Sequence, residues 1–301
     1  MIMNVSVFIC SYDRGPLINN TLDSIINSQT VYPDEIIVVN GGGENNCQAT
    51  LEFWKKKHPN FKIITTENIN LATSRNIGLP HCTGDLILQT DDDARPYPDW
   101  IEKMIFMHEK YPDAGVIGGE VVDSDGKSFL SQIADTTTFP YHSKVSEVRN
   151  VPGVNSSYKR KVIEQVGDYD ESLFRGEDVD YNWRAIQASW KVLYVPEIKV
   201  IHVHRPTWKG LLNQHYMYGR AYYLVRNKWP EMYSVYPHNF NSIKAVLKIL
   251  YLIVSPIIDA IKKSQRMPTL PRSIISIPII SMINYHWLVG LINQKNSVKN
   301  N

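Results

Sequence analysis

Cysteine is scarce in this sequence, with only Cys10, Cys47 and Cys82 in 301 residues. The number is odd, the three lie far apart and none forms a CxxC pair, so we expect neither a disulfide framework nor a zinc site. This usage favours a reducing cytoplasm. A basic segment before a long apolar run is also missing from the N-terminus, MIMNVSVFIC, so we expect no secretory signal and interpret this segment as a first strand.

Acidic residues are nearly absent from the C-terminal end of the chain. The formal net charge of +2 argues against a general nucleic-acid binder, but from His238 to Asn301 eight Lys or Arg stand against one acid, Asp259. Residues 273–294 contain no Asp, Glu, Lys or Arg, and this uncharged segment is longer than the roughly 18 residues that indicate a membrane span. Pro278 and two polar residues within it weaken that interpretation. The segment is compatible with spanning, lying on or avoiding a membrane, and the basic excess favours an anionic membrane surface.

The composition is that of a globular protein, with 43% hydrophobic and 21% charged residues. At about 150 residues per domain, the length allows one large domain or two ordinary ones. Short apolar runs rich in β-branched residues alternate with helical spacing in the first 90 residues, and each run is continuous, as in strands covered on both faces. This alternation predicts an α/β layer fold with a parallel sheet. The runs are VSVFI (5–9), EIIVVN (35–40), KIIT (62–65) and DLILQT (85–90).

A second region follows this alternation. The pattern predicts an apolar strand at 114–122, a loop to about Asn150, a helix from about Asp178, and two short strands split by Pro196. From about Ser242 a basic, apolar helical tail begins. Its predicted stripe consists of Ile243, Leu247, Leu250, Val254 and Ile258.

Three successive carboxylates, Asp91 to Asp93, follow the fourth apolar run. Adjacent anions repel one another, so either water solvates them or a cation neutralises them. In an extended segment Asp91 and Asp93 point the same way, whereas Asp92 points elsewhere or contacts a sugar hydroxyl. Ligands of parallel sheets bind beyond the carboxyl ends of the strands, and oxygen ligands suit Mg²⁺ or Mn²⁺. The alternative is a charged turn before a helix that starts near Pro98 or Asp99.

Two later groups have the residue types of a catalytic centre. Glu177 and Asp178 follow a flexible Gly176 at a predicted helix start, where a carboxylate can cap backbone N–H groups or act as a general base. His202 and His204 have the period-two spacing of one strand face, where an imidazole can complete a metal site, meet a phosphate or serve the structure alone.

The ordered set of these segments resembles the family 2 glycosyltransferases, inverting enzymes of the GT-A fold, and especially rhamnosyltransferase-like members of the cell envelope. The resemblance covers roughly residues 4–225. It implies a Rossmann-like, mostly parallel sheet flanked by helices, in a catalytic domain at 1–225 with a nucleotide-sugar half to about 110 and an acceptor half from about 111. Residues 226–301 then form a helical, hydrophobic, basic tail. The matching segments are VSVFICSYDR, IIVVNGG, LATSRNIGL, LILQTDDDARPYPDWI, PGVNSSYKRKVIEQVGDYDE, GEDVDYNWR and IHVHRP.

The resemblance also implies roles for single residues. Asp178 matches the catalytic base. Asn40 stands where the family usually has an aspartate that contacts the nucleotide base. The implied donor-binding residues are Ser11, Tyr12, Arg14, Asn40, Arg75, Asn76, Asp91 and Asp92. The implied metal ligands are Asp91, Asp93, His202 and His204, and the residues near acceptor or sugar are Asn155, Trp100 and Glu177.

The function implied is transfer of a sugar from a nucleotide-diphosphate sugar to a hydroxyl acceptor with inversion, using Mg²⁺ or Mn²⁺. The expected acceptor is a cell-surface glycan or lipid-linked saccharide, the expected place is the cytoplasmic face of the plasma membrane, and no nucleic acid is expected. An aromatic-rich segment after residue 207 either forms a surface for sugar or lipid headgroups or packs helices together. Its members are Trp208, Tyr216, Tyr218, Tyr222 and Tyr223.

Three alternatives remain open at this stage. The first is a catalytically inactive nucleotide-sugar-binding protein of the same fold, against which the acidic triplet and Asp178 both count. The second is a nucleotidyltransferase, but SYDRGPL has only Gly15 where such enzymes carry a glycine-rich phosphate loop. The third is a metal-dependent hydrolase, which product analysis would distinguish from a transferase.

Overall fold

The structure is a computed structural model, and it describes residues 3–123, 126, 128–203, 207–232 and 243–299. The chain divides into two compact units. One comprises residues 1–124 and 140–203, and the other comprises 125–139 and 204–301. We call them the sheet unit and the helical unit.

A nine-stranded sheet forms the centre of the sheet unit. Its order is β3-β2-β1-β4-β8-β6-β9-β5, with β7 paired to β9. The first four strands in this order are parallel, whereas β8 runs antiparallel to both β4 and β6. The strands are β1 (Val5–Ser11), β2 (Glu35–Asn40), β3 (Phe61–Thr65), β4 (Leu86–Asp91), β5 (Ala94–Pro96), β6 (Ala114–Asp123), β7 (Ser146–Glu147), β8 (Ser156–Lys159) and β9 (Lys191–His202).

Helices cover this sheet and make up the helical unit. Those of the sheet unit are α1 (Ile18–Ile26), α2 (Gln48–Lys55), α3 (Leu71–Gly78), α4 (Trp100–Lys110), α6 (Arg160–Val166) and α7 (Glu177–Gln187). Those of the helical unit are α5 (Phe129–Thr138), α8 (Trp208–Lys228), α9 (Ile243–Ser264) and α10 (Leu270–Lys299). The predicted α/β fold with flanking helices and a C-terminal apolar helix is confirmed, and the sheet, predicted as mostly parallel, is parallel in its first half and mixed beyond β4.

The parallel half of the sheet contains a topological switch point. β1 lies between β2 and β4, so the chain leaves β1 towards one side of the sheet and later returns to the other. Crevices at such points bind ligands in open α/β sheets. The register pairs Ser11 with Asn40 and Cys10 with Asp91, so the ends of all three strands meet there.

The later elements differ from the sequence expectation in two places. β9 is one strand across Pro196, not two, and it absorbs the proline as a shift in register with β6 between Val195 and Lys199. Because proline has no N–H to donate, the ladder skips it. The stretch expected as a loop to Asn150 contains α5, which begins after Ser128, whose side chain accepts a hydrogen bond from the Ser131 N–H.

The helical unit has a core of its own. Ile133 and Ala134 of α5 pack with buried residues of the other helices, among them Leu211, Ala260 and Ile280. α8 and α10 approach each other at two glycines, since a Cβ at Gly219 or at Gly290 would collide with backbone atoms of the opposite helix. α8, which the sequence analysis placed in the catalytic domain, therefore clusters with the tail helices.

One helix of the described chain, at residues 270–298, is long and apolar enough to cross a membrane, with a mean hydropathy of 1.6 over its best window. Only 33% of that window is buried, so most of its residues are at least partly exposed.

Candidate active site

The acidic triplet lies at the switch point. Asp91 ends β4, and Asp93 follows in the short connection to β5. Burial and the neighbouring Asp93 raise the pKa of the Asp91 carboxyl, and Asp178 raises it further, whereas His202 and Arg75 lower it. Burial also raises the pKa of Asp92 to about 7, against a hydrogen bond from Ser11 that lowers it. Carboxylates in this position favour a bound cation.

Arg14 supplies one positive charge to this cluster. Its Nε lies 3.3 Å from Oδ1 of Asp92, and its terminal nitrogen lies 2.9 Å from Oδ2 of Asp93. The guanidinium is about one-third exposed, so solvent screens these ion pairs. Arg14 follows Asp13, which holds a left-handed backbone (φ 57°) and accepts a hydrogen bond from the Asn45 N–H at 2.7 Å. The loops after β1 and β2 therefore fix each other.

His202 reaches the triplet through the sheet. β5 pairs with β9 so that Ala94 faces His202, and this register brings His202 Nε2 within 3.3 Å of Asp93 Oδ1. Asp91, Asp93 and His202 each offer a ligand atom, and these atoms lie within 4.8 Å of one another. Two carboxylates and an imidazole are a donor set that suits Mn²⁺ or Mg²⁺, so the residues present fit a divalent cation. His204 lies outside the described residues.

A second charged cluster joins α3 to the start of α7. The Arg75 guanidinium is buried and lies 2.7 Å from Oε1 of Glu177. Burial alone would lower the pKa of Arg75, but the Glu177 carboxylate outweighs it and the pKa is raised. Burial raises the pKa of Glu177 in turn, and Arg75 opposes this. Arg75 also lies 5.1 Å from the centre of the Tyr169 ring.

Asp178 lies beside this pair at the first turn of α7. Its Oδ2 accepts a hydrogen bond from the Gly153 N–H at 3.1 Å, and its Oδ1 accepts one from the Val179 N–H at 2.8 Å. Gly176, with φ 80°, turns the chain into the helix at this point. The carboxylate is held in place by backbone donors and is only half-buried, as a base that must meet an incoming hydroxyl requires.

The other predicted donor residues differ in exposure and in the hydrogen bonds that they make. Ser11 is buried at the end of β1 beside Asn40, whereas Tyr12 is 49% exposed and accessible to a ligand. Asn40 is buried, and its Nδ2 donates to Asn46 and Gln48. Asn76 binds the backbone of Tyr169 through both ends of its amide. Asn40 and Asn76 are thus already engaged in organising loops near the cluster.

Asn155 and Trp100, predicted near acceptor or sugar, are both fully buried. The Trp100 indole N–H donates to Asn155 Oδ1 at 2.9 Å, and Asn155 Nδ2 donates to the carbonyls of Glu120 and Ile198. This network ties α4 to the segment before β8 and to β6 and β9. It favours a supporting role over direct contact with a sugar.

Sequence reasoning missed two residues of the site. Gly153 donates to Asp178, and any Cβ there would collide with the Arg75 guanidinium. Tyr169 stacks on Tyr181 with ring centres 4.1 Å apart and supports Arg75. Both lie in segments that carry the family resemblance, VPGVN and GDYDE, but no local pattern predicts a contact to α3.

This combination of fold and strand-end acids defines a glycosyltransferase of the GT-A type, and comparison with known proteins agrees. Residues 6–167 match the family Glycosyl transferase family 2. The chain belongs to that family.

Relatives and solved structures extend the likeness beyond the matched residues. The chain is 27% identical to a glucosyl-dolichyl phosphate glucuronosyltransferase of Haloferax volcanii, over 96% of this chain and 97% of that protein. It is 26% identical to the O-antigen chain rhamnosyltransferase RfbN of Salmonella typhimurium, over 68% of each. The mannosyltransferase PcManGT of Pyrobaculum calidifontis, solved with GDP-Man and Mn²⁺, has a TM-score of 0.67 at 16% identity, over 98% of this chain and 87% of that one. GalNAc-T7, solved with UDP, GalNAc and Mn²⁺, has a TM-score of 0.56 at 17% identity, over 84% and 58%.

Proposed function

We propose that this enzyme transfers a sugar from a nucleotide-diphosphate sugar to a hydroxyl of a cell-surface or lipid-linked saccharide, with inversion at the anomeric carbon. The observation that carries the proposal is the cluster of Asp91, Asp93 and His202, whose ligand atoms lie within 4.8 Å of one another, with Asp178 among the charges that raise the pKa of Asp91. A cation site and a separate carboxylate base are the two parts that a single displacement needs.

Asp91, Asp93 and His202 would hold the divalent cation, Mn²⁺ or Mg²⁺. When bound, the cation would supply the positive charge that stabilises the departing nucleoside diphosphate. Arg14, which already pairs with Asp92 and Asp93, would lie at the edge of that site and add a second cation for the phosphates.

Asp178 would take the proton of the acceptor hydroxyl as it attacks. The two backbone N–H groups that bind its carboxylate hold it in one orientation, which is what a positioned base requires. Glu177 keeps Arg75 charged beside it.

The nucleotide would occupy the ends of β1 and β2. Tyr12 is exposed there and would offer its ring to the base, while Ser11, Asn40, Arg75 and Asn76 would hold the surrounding loops in place. Because an amide at residue 40 both donates and accepts, it does not by itself select one base.

The acceptor proposal rests on the relatives. Two of them are named for transfer to a dolichyl phosphate-linked sugar and to an O-antigen chain. For this chain we propose an acceptor of the same chemical class, met at the cytoplasmic face of the plasma membrane. The apolar α10 and the basic tail support a location at the membrane.

The experiment that tests this function is a donor panel. UDP-, GDP- and TDP-sugars are added to the purified protein with Mn²⁺ or Mg²⁺, and thermal stability is measured for wild type, Asp93→Ala and the control Asp23→Asn, an exposed acid of α1. We expect one nucleotide class to stabilise the wild type and the control, only with the metal, and to leave Asp93→Ala unchanged. No stabilisation by any donor, with the wild type folded, would refute the donor site and favour an inactive relative of the fold.

A further inference from the structure

Arg14 and His202 approach different oxygens of the same carboxylate. A terminal nitrogen of Arg14 lies 2.9 Å from Oδ2 of Asp93, whereas His202 Nε2 lies 3.3 Å from Oδ1. The Nε of Arg14 lies 3.3 Å from Oδ1 of Asp92, so one guanidinium bridges two of the three adjacent acids. The charge of Asp93 is therefore shared between the candidate cation cluster and Arg14.

The two arginines of the site differ in their access to a ligand. The Arg75 side chain is 5% exposed and pairs with Glu177, so its charge is compensated inside the protein. The Arg14 side chain is 32% exposed, although the two acids that it contacts are nearly buried. A guanidinium has five N–H donors in a planar fork, so Arg14 can bind a phosphate from solvent while it stays beside the acids.

The backbone around Arg14 places this charge beside the triplet. The Asp13 N–H donates to the carbonyl of Gly42 at 2.9 Å, and the Arg14 carbonyl accepts a hydrogen bond from the Leu17 N–H at 3.0 Å. Asp13 also accepts a hydrogen bond from the Asn45 N–H through its side chain. Because the residue before Arg14 and its own carbonyl are both held, the side chain starts from a fixed point at the end of β1.

A positive charge at this position has opposite effects on two ligands. A divalent cation alone needs the negative charge of Asp93, and Arg14 offsets part of that charge, so Arg14 opposes its binding. A cation that carries a diphosphate brings negative oxygens, and these oxygens can pair with the guanidinium as well as with the cation. Arg14 therefore favours the second ligand over the first.

We propose that Arg14 makes this site selective for a divalent cation bound to a diphosphate over the cation alone. The inference rests on the proposed function, because it takes Asp91, Asp93 and His202 as the cation site. Arg14 is then a specificity-determining residue, and the enzyme takes up the cation together with its nucleotide-sugar donor.

The test measures two affinities of the full-length protein. Electron paramagnetic resonance of unbound Mn²⁺ gives the affinity for Mn²⁺ alone, and isothermal titration calorimetry at saturating Mn²⁺ gives the affinities for UDP and GDP. We expect Arg14→Gln to bind Mn²⁺ alone about fivefold more tightly than wild type, the effect of removing one partly exposed charge. The same variant should bind the nucleotide about tenfold more weakly, because a charged hydrogen bond to phosphate is lost.

Two further variants separate charge from structure. Lys55→Gln removes the same charge at the end of α2, whose other end contacts Asn40 through Gln48, and it should match wild type in both measurements. Arg14→Lys keeps the charge and should bind Mn²⁺ alone as wild type does. If it binds Mn²⁺ as tightly as Arg14→Gln, the charge is not the cause and the proposal is overturned.

Opposite changes in the two affinities cannot come from partial unfolding, which would weaken both, and circular dichroism spectra verify that each variant is folded. Two affinities that change in the same direction in Arg14→Gln, or that both stay unchanged, would overturn the selectivity and leave the proposed function in place. A folded wild type that binds neither nucleotide with Mn²⁺ would overturn the proposed function as well, so the two failures are distinguishable.

Discussion

Arg75 is 4% exposed and touches Glu177, Gly153 and Tyr169, three residues that lie 78 to 102 positions further along the chain. A buried guanidinium is tolerated only when its charge is compensated. The pair it forms with Glu177 therefore holds α3, the turn before β8 and the start of α7 in one arrangement around Asp178.

Breaking that pair should cost stability. Glu177→Gln leaves the Arg75 charge buried and uncompensated, and we expect the free energy of unfolding to fall by about 3 kcal/mol. Urea denaturation measures it. Glu164→Gln, an exposed glutamate of α6, is the matched control and should stay within about 0.5 kcal/mol of wild type. Equal curves for the two variants would mean that Arg75 finds its compensation elsewhere.

Asp178 should matter for rate and not for donor affinity. Asp178→Asn keeps the side-chain shape but removes the proposed base, so we expect the rate of sugar transfer to fall by about 10²- to 10⁴-fold. The dissociation constant of the donor, measured by calorimetry with metal present, should change little. A variant that transfers sugar at a rate within a few-fold of wild type would show that another group takes the proton.

At the scale of residues, the sequence predicted those parts of the candidate site whose members are close in the chain. The acidic triplet at a strand end and the acids after Gly176 were predicted from local pattern and from the resemblance. The approach of His202 to Asp93 was implied by the resemblance alone, because no local pattern carries the β5–β9 register on which it depends across 109 positions. No local pattern predicts the hydrogen bond from Gly153 to Asp178 either.

At the scale of elements, Glu35 links four strands and their connections. It is the first residue of β2, and its carboxylate accepts hydrogen bonds from Ser6 of β1 at 2.6 Å and from Lys62 of β3 at 2.8 Å. It also accepts hydrogen bonds from the hydroxyl and the N–H of Thr83, just before β4. Burial would raise the pKa of this carboxyl, but Lys62 and the other donors outweigh it and lower the pKa to about 2.

This lowered pKa predicts a dependence of stability on pH. The folded state holds Glu35 ionised, so its contribution is present above the unfolded value near 4.5 and is lost as the pH falls towards 2. Glu35→Gln should be less stable than wild type at neutral pH, and the gap should close between pH 4.5 and 2. Thermal unfolding across that range measures it, and curves that stay parallel would contradict the assignment.

The contact between α8 and α10 depends on Gly219 and Gly290. By helix propensity alone, Gly290→Ala would stabilise α10 by about 1 kcal/mol. Because the added Cβ would meet the backbone at Tyr216, we expect instead a net loss of about 3 kcal/mol in unfolding free energy. Val289→Ala, one residue away and 49% exposed, is the control and should be nearly neutral. A stabilised Gly290→Ala would show that the helices can separate without cost.

The positions of strands and helices were predicted correctly where the pattern of apolar residues was strong. β1, β2, β3 and β4 lie where continuous apolar runs predicted them, and α7 begins within one residue of the expected start. α5 was missed because FLSQIADTTT ends in three threonines, which disfavour a helix, and its partners lie more than 70 residues away. Packing against the other helices overrides that preference.

At the scale of the whole molecule, the tail should bring the enzyme to a membrane surface. α10 hydrogen-bonds through Asn284 to Asp259 and through Gln294 to Arg220, polar contacts that favour a helix lying on the bilayer over one crossing it. We expect the full-length protein in the membrane fraction of cells and release of most of it by alkaline carbonate. Protein that resists carbonate would indicate a span, and protein that is soluble without detergent or high salt would remove the membrane from the proposal.

α5 lies between β6 and β7 in the chain, yet among the described residues the core around its buried face is built by helices that follow residue 203. The ribosome therefore makes α5 long before its partners. At about 5 to 20 residues per second, α5 waits on the order of ten seconds for α9 and α10. During that time the nascent chain exposes Ile133 and Ala134, so we expect this short helix to be where a chaperone first holds the unfinished protein.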